Sequence, residues 1–245
     1  MSARPFLLLS TRSSDQATAG EWQMICRAAG LAENALERRR LEQAPLGEVV
    51  LDRYAGIILG GSDFCVSSAN KTPVQQRVET ELKALLDEVL ERDWPFLGIC
   101  YGIGIITNHL GGKIDGQYSE SISPVSVHQT AAGRLDPLLA GMPPIFHAFV
   151  GHKEAASDLP DQAVVLATGK HCPVQLYRIG KRVYASQFHP ELDTPGLISR
   201  MEIYREDGYF DPANFAAIAE AARNSPVDGS QFKLLANFVA LANAV

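Results

Sequence analysis

Hydrophobic positions in this chain alternate between two periods. Phe6-Leu7-Leu8-Leu9 is a short continuous apolar run, the pattern of a strand buried on both faces. A polar loop follows, then a helical stretch from about Thr18 to Ala29 and a second strand within Asn34–Leu41. Tyr54–Leu59 reads as a third strand, ending in Gly60-Gly61-Ser62. Pro73 opens a helix in which Val74, Val78, Leu82, Leu85, Leu86 and Val89 recur at three- and four-residue steps, one apolar stripe. Pro95 stops it, and Phe96-Leu97 begins a fourth strand with a helical segment beyond it, reaching Leu110.

Strand and helix alternating over the first 110 residues predict a mostly parallel sheet covered on both faces, with functional groups at the carboxyl ends of its strands. The middle of the chain changes character. Ile122–Val127, Pro144–Val150, Ala163–Thr168, Val174–Ile179 and Arg182–Phe188 read as short strands, the last two joined as a hairpin around Gly180. From Pro195 the pattern is helical again, with a stripe of Phe232, Leu235, Phe238 and Val239 after a polar break at Asn224–Ser230. The expected organisation is one domain over 1–245, a core to about 195 and a helical cap from 196.

The chain has 245 residues, 46% hydrophobic and 20% charged, with net charge −6. That composition suits a globular protein with a substantial core. The sole basic run, Arg38-Arg39-Arg40, reads as a solvated element end, and nucleic acid is not an expected partner. No apolar run reaches the roughly 18 residues needed to cross a bilayer, so no membrane association is expected. Cys26, Cys65, Cys100 and Cys172 form no CxxC pair and read as reduced thiols, pointing to the cytoplasm. The six histidines lack ligand spacing, so neither a metal nor another cofactor is expected.

The sharpest chemical signal is Gly98-Ile99-Cys100-Tyr101-Gly102, where a strand turns into a helix. Such an elbow holds its central residue in a strained conformation and needs very small residues two before and two after it. Its nucleophile stands beside a helix N-terminus, which favours thiolate. A cysteine nucleophile needs a base, and the base an orienting acceptor. His189 and Glu191, in Gln187-Phe188-His189-Pro190-Glu191, supply both, since alternate residues of an extended segment point the same way. In the α/β-hydrolases the acid precedes the histidine, so this order excludes that elbow family.

Together, Gly98–Gly102, His189-Pro190-Glu191 and the glycine pair after Ile58-Leu59 resemble the class I, triad-type glutamine amidotransferases, over about Pro5 to Leu192. The stand-alone members similar to the amidotransferase domain of GMP synthase come closest, and they carry a segment like Gly151-His152-Lys153-Glu154-Ala155. The resemblance implies a flavodoxin-like three-layer α/β sandwich with a small antiparallel subsheet. It also implies release of ammonia from glutamine through a thioester on Cys100, with His189 as acid and base. The oxyanion would be held by the N–H groups of Gly61 and Tyr101, and the substrate by Gly60, Gly104, Gly151 and His152. Gly104 departs from the family, which usually has glutamine there; the expectation is a roomier pocket. A γ-glutamyl hydrolase or transpeptidase acting on a glutamine conjugate is the alternative enzyme, and a non-catalytic regulatory subunit the alternative outside catalysis. With no acceptor domain of its own, ammonia transfer would need a separate synthase.

Other candidates read as structural. Cys26 and Cys65 read as packing residues, and His109 and His128 as surface or satisfied histidines. His171-Cys172 point to opposite faces of a strand, and Gly111-Gly112 terminate the elbow helix. For His152, a loop-fixing role and direct substrate contact stand equal.

Overall fold

The computed structural model describes residues 4–244. Its centre is a nine-stranded sheet. The parallel part comprises β1 (Phe6–Thr11), β2 (Leu36–Arg40), β3 (Ile57–Ser62), β4 (Phe96–Ile99) and β11 (Val183–Ser186), in the order β2-β1-β3-β4-β11. Beyond β11 the sheet continues antiparallel through β10 (Leu176–Ile179), β9 (Val164–Thr168), β6 (Glu120–Gln129) and β7 (Ile145–His152). A separate two-stranded sheet pairs β5 (Lys113–Asp115) with β8 (Ala155–Asp158). The mixed, mostly parallel sheet with a small antiparallel one is the architecture expected from the sequence, though β5 and β8 are too short to be read there.

Alternate residues of β1 feed two different cores, because a strand inside a covered sheet buries both faces. Phe6 and Leu8 join Ile25 of α1 (Asp15–Ala29) and Phe238 of α6 (Phe232–Asn243) on one side. Leu7 and Leu9 join Val78, Leu82 and Leu86 of α2 (Pro73–Glu91) and Ile105 of α3 (Tyr101–His109) on the other. The α2 stripe is buried as its spacing predicts, except Val74, which lies exposed in the first turn. Thr72 caps that turn by accepting from the Gln75 N–H, with Pro73 directly after it.

Within the stretch read as a cap, α6 belongs to the main core: Leu234, Leu235, Phe238 and Ala242 are all fully buried. Only α4 (Thr194–Ile203) and α5 (Phe215–Arg223) build a third apolar cluster, around Phe149, Leu192, Leu197 and Met201, beside the carboxyl ends of the central strands. The three arginines of β2 are engaged locally, Arg38 with Thr18 O and the Trp22 ring, Arg39 with Tyr54 and backbone carbonyls, and Arg40 with Glu42 and Asp15. No helix among the described residues is long and apolar enough to cross a membrane.

Candidate active site

β4 ends at Ile99, and Cys100 takes φ 53°, ψ −88° before α3 begins at Tyr101. Only Cys100 and Asp93 have positive φ among the described non-glycine residues. A backbone of that kind costs on the order of 1–3 kcal/mol and persists only where its surroundings over-determine it. Two restraints are evident. The Cys100 N–H donates to Ser186 O on β11 at 2.7 Å, and Gly98 lies against the Gly102 backbone, leaving no room there for a Cβ.

β11 stops at Ser186, two residues earlier than the sequence pattern suggests, and the chain swings over to β7, where the His189 N–H donates to Phe149 O at 3.0 Å. That bridge seats His189 beside the elbow. Residues 189–192 form a turn, closed by Leu192 N–H to His189 O at 3.4 Å, where an extended segment was expected. The turn still brings the side chains together: His189 Nδ1 lies 2.9 Å from Glu191 Oε1. With the Nδ1 proton directed to the carboxylate, Nε2 is the basic nitrogen.

Arg200, two turns into α4, completes this group; its Nη2 donates to Glu191 Oε1 at 3.1 Å, and Nη1 stands 3.2 Å from His189 Nδ1. Burial alone would raise the Glu191 carboxyl, but His189 and Arg200 overcome it and hold the group well below the usual carboxylate range. Burial lowers His189 from its ordinary value, opposed by Glu191 and reinforced by Arg200 and Arg12.

Burial also pushes the Cys100 thiol up to about 12, against the opposing pull of Arg12. That direction opposes the thiolate expected from the helix end. A raised thiol and a lowered imidazole together favour the neutral pair at rest.

Cys100 opens onto two small cavities. One, of about 40 Å³, is lined by Arg12, His189, Leu197, Arg200 and Tyr209 among others. The other, of about 30 Å³, is lined by Cys65, Tyr101, Gly151, Glu154 and Tyr209 among others. Tyr209, in the turn between α4 and α5, borders both and donates to Ser62 O at 3.4 Å. Lys153 holds that turn, donating to Asp207 O at 2.8 Å with its Nζ 4.3 Å from the Tyr209 ring centre.

The remaining sequence-predicted residues divide. Gly151 lines both cavities and Tyr101 one, and Tyr101 begins α3, so its N–H has no intrahelical acceptor. Gly61 departs from its expected role, since its N–H donates to Glu21 Oε1 at 3.1 Å. Gly60 also faces Glu21, not the cavities; a Cβ there would meet that carboxylate at 2.5 Å. Gly104 has gained no room: a Cβ would lie 3.0 Å from Val66 Cγ2 and 3.6 Å from Glu154 Oε1. Glu154 ties down the neighbouring loop, accepting from the Val66 and Ser67 N–H groups and from Ser67 Oγ.

His152 has both ring nitrogens engaged inside the protein, Nδ1 with Glu154 O at 3.0 Å and Nε2 with Glu120 Oε2 at 3.1 Å. These bonds fix the loop, and His152 also lines the smaller of the two cavities at Cys100. Glu120, His152 and Cys172 bring three donor atoms within 4.8 Å of one another, a proximity that sequence spacing conceals. Glu120 Oε2 also accepts from Gln175 Nε2, and Cys172 donates to Val174 O, so the group forms a buried polar network. Cys26 is a core residue, and His109 pairs with Asp87.

Arg12, Glu21, Arg200 and Tyr209 escaped the sequence reading. Arg12 had a usable signal, since it directly follows the carboxyl end of β1. The others come from helix and turn positions that no local motif marks.

The profile of the family "Glutamine amidotransferase class-I" matches residues 45–196. The chain belongs to this family. It is 30% identical over 149 residues to one subunit of the glutamine-hydrolyzing GMP synthase of Methanothermobacter thermautotrophicus, covering 60% of this chain and 71% of that protein. To the glutamine-hydrolyzing GMP synthase of Bacillus subtilis it is 28% identical over 145 residues, 56% of this chain but only 24% of that longer protein. In fold it is similar to a glutamine amidotransferase from Thermotoga maritima, with a TM-score of 0.77 at 19% identity and 99% of each chain covered. A glutamine amidotransferase from Methylobacillus flagellatus gives a TM-score of 0.74 at 16% identity, with 99% of this chain and 96% of that one covered.

Proposed function

We propose that this family member hydrolyses the side-chain amide of glutamine and releases ammonia through a glutamyl thioester on Cys100. The observation that carries the reading is a strained elbow cysteine sharing one cavity with a histidine whose other nitrogen is held by a buried carboxylate. His189 Nε2 takes the thiol proton as sulfur attacks the amide carbon, and the carbonyl π pair moves onto oxygen. The Tyr101 N–H donates to that oxyanion. As the tetrahedral adduct collapses, the C–N bond breaks and His189 returns the proton to the departing ammonia. Water, deprotonated by His189, then cleaves the thioester to glutamate. Glu191 and Arg200 keep the imidazole oriented throughout.

The substrate's distal end faces Gly151 and the loop anchored by Glu154. Tyr209 borders both cavities and so flanks the path of the substrate to Cys100. The relatives from Methanothermobacter thermautotrophicus and Methanobrevibacter smithii are each one subunit of a glutamine-hydrolyzing GMP synthase, which supports a separate synthase chain as the recipient of the ammonia. Filling of the Gly104 space by Val66 and Glu154 removes the ground for a bulkier γ-glutamyl substrate. The test is ammonia and glutamate release by the purified chain on glutamine and on a panel of γ-glutamyl amides. Turnover of glutamine in preference to the conjugates is expected. Turnover of conjugates alone, or none at all, would overturn the reading.

A further inference from the structure

The site carries a buried ion pair that the triad does not use. Arg12 Nε donates to Glu21 Oε1 at 2.8 Å, with side chains only 5% and 1% exposed. The same carboxylate oxygen accepts the Gly61 N–H, and Ser10 Oγ donates to Oε2 at 3.2 Å. Glu21 sits on α1 and lines neither cavity at Cys100, whereas Arg12 lines one of them. The Gly61 N–H therefore points out of the reaction chamber, toward α1, while the arginine points in.

A guanidinium has five N–H donors, and Glu21 takes one of them through Nε. The fork's far end lies over the Gly61 α-carbon beside the imidazole, in the cavity that Cys100 also lines: a Cβ built on Gly61 would overlap Arg12 Nη2 and come within 3.1 Å of His189 Cε1. Gly61 is small, then, because a cation and the catalytic imidazole crowd its α-carbon. The Tyr204 ring, 5.8 Å from Cζ, covers the guanidinium.

We propose that Arg12 is a catalytic residue, its guanidinium donating a hydrogen bond to the carbonyl oxygen that becomes the oxyanion, in place of the Gly61 N–H. It acts together with the Tyr101 N–H, and Glu21 is a positioning residue that holds the fork in place. This rests on the amide-hydrolysis reading above. As the sulfur–carbon bond forms and the π pair moves to oxygen, the negative charge appears beside a cation already desolvated and oriented. No group has to reorganise at that moment, which is the condition under which such donors are most effective.

The test uses the full chain and glutamine turnover. Removing Arg12 alone would strand a buried carboxylate and endanger folding. The informative variant is therefore the neutral pair Arg12→Gln/Glu21→Gln, with Glu21→Gln alone and Gly61→Ala beside it, each checked by thermal melting. Loss of a transition-state donor lowers kcat by about 100-fold and leaves KM within about threefold. That is the expected result for the pair. Glu21→Gln should lose less turnover than the pair, because its amide oxygen can still accept from Nε while the charge that holds the fork is gone, and Gly61→Ala should lose turnover by displacing Nη2 and crowding the imidazole. A merely structural ion pair would lower the melting temperature and leave kcat intact, which overturns the proposal. A rise in turnover in Glu21→Gln overturns it too, since Gly61 would then be a donor blocked by Glu21. If the unaltered chain shows no Cys100-dependent turnover, the hydrolysis reading itself fails and this proposal falls with it; variants that turn over glutamine as the parent does overturn the Arg12 role alone.

Discussion

The two glycines of the elbow, alike in the sequence argument, differ in the structure, and the difference is measurable. A Cβ on Gly98 would lie 2.8 Å from the Gly102 carbonyl carbon, 2.9 Å from its Cα and 3.0 Å from its oxygen. All three are backbone atoms in the first turn of α3, so no flexible side chain can yield. A Cβ on Gly102 would meet Leu59 O at 3.4 Å and Leu59 side-chain carbons at 3.6 Å, ordinary contacts, on a backbone without positive φ. Gly98→Ala should therefore destabilise by about 3 kcal/mol, the upper end of overpacking in a well-packed core. Gly102→Ala should range from neutral to about 1 kcal/mol stabilising, since alanine is the better helix former. For a chain of this size the Gly98→Ala penalty lowers the melting temperature by about 6–12 °C. Circular-dichroism melts of both variants, with glutamine turnover alongside, provide the assay. Equal destabilisation of the two, or a larger loss for Gly102→Ala, would refute the close-packed account of the elbow.

Glu191→Gln should lower kcat by about 10²–10⁴-fold, because it removes the acceptor that fixes the His189 tautomer. In the folded protein Glu191 lies below its ordinary pKa, so its contribution to stability is fully present above the unfolded value near ~4.3 and fades as pH falls through the folded one. Urea unfolding should accordingly give a stability gap between the parent and Glu191→Gln that is constant from pH 7 to about 5 and narrows below. With His189 lowered and the Cys100 thiol raised to about 12, kcat/KM should stay flat as pH falls through about 6.5. A bell centred near pH 7 would contradict a neutral resting pair. Gly104→Gln should cost about 1–3 kcal/mol by forcing Val66 aside and should not lower KM. Glu154→Ala should raise KM, because it frees the loop at Val66 and Ser67; steady-state kinetics on both variants checks the pair.

The elbow and the His189–Glu191 pair are legible in the sequence because each lies within five consecutive residues, and their chemistry tolerates few substitutes. The parallel half of the sheet is legible for a similar reason, with long α2 and the continuous apolar run of β1 setting the period. The antiparallel half is read correctly as strands, and the β10–β11 hairpin around Gly180 with them, but the place of β6 between β7 and β9 is not, since it rests on contacts distant in sequence. The pairing of Gly61 with Glu21 could not be read either. A glycine near a strand end signals close approach of something, and here that something is a guanidinium from β1's end and a carboxylate from α1. Gly104 misled for the same reason. Absence of a side chain reads as space in a sequence, whereas in the fold Val66 and Glu154 occupy it. The thiolate expectation weighed the helix N-terminus without the burial that accompanies it, and burial pushes the thiol the other way.

Rapid acid quench of the protein mixed with glutamine, followed by mass analysis of the Cys100 peptide, bears most directly on the role of this thiol. A glutamyl adduct on Cys100 that forms and decays with turnover, and is absent from Cys100→Ala along with ammonia release, is the expected result. Ammonia release that survives Cys100→Ala, with no adduct in either protein, would contradict it.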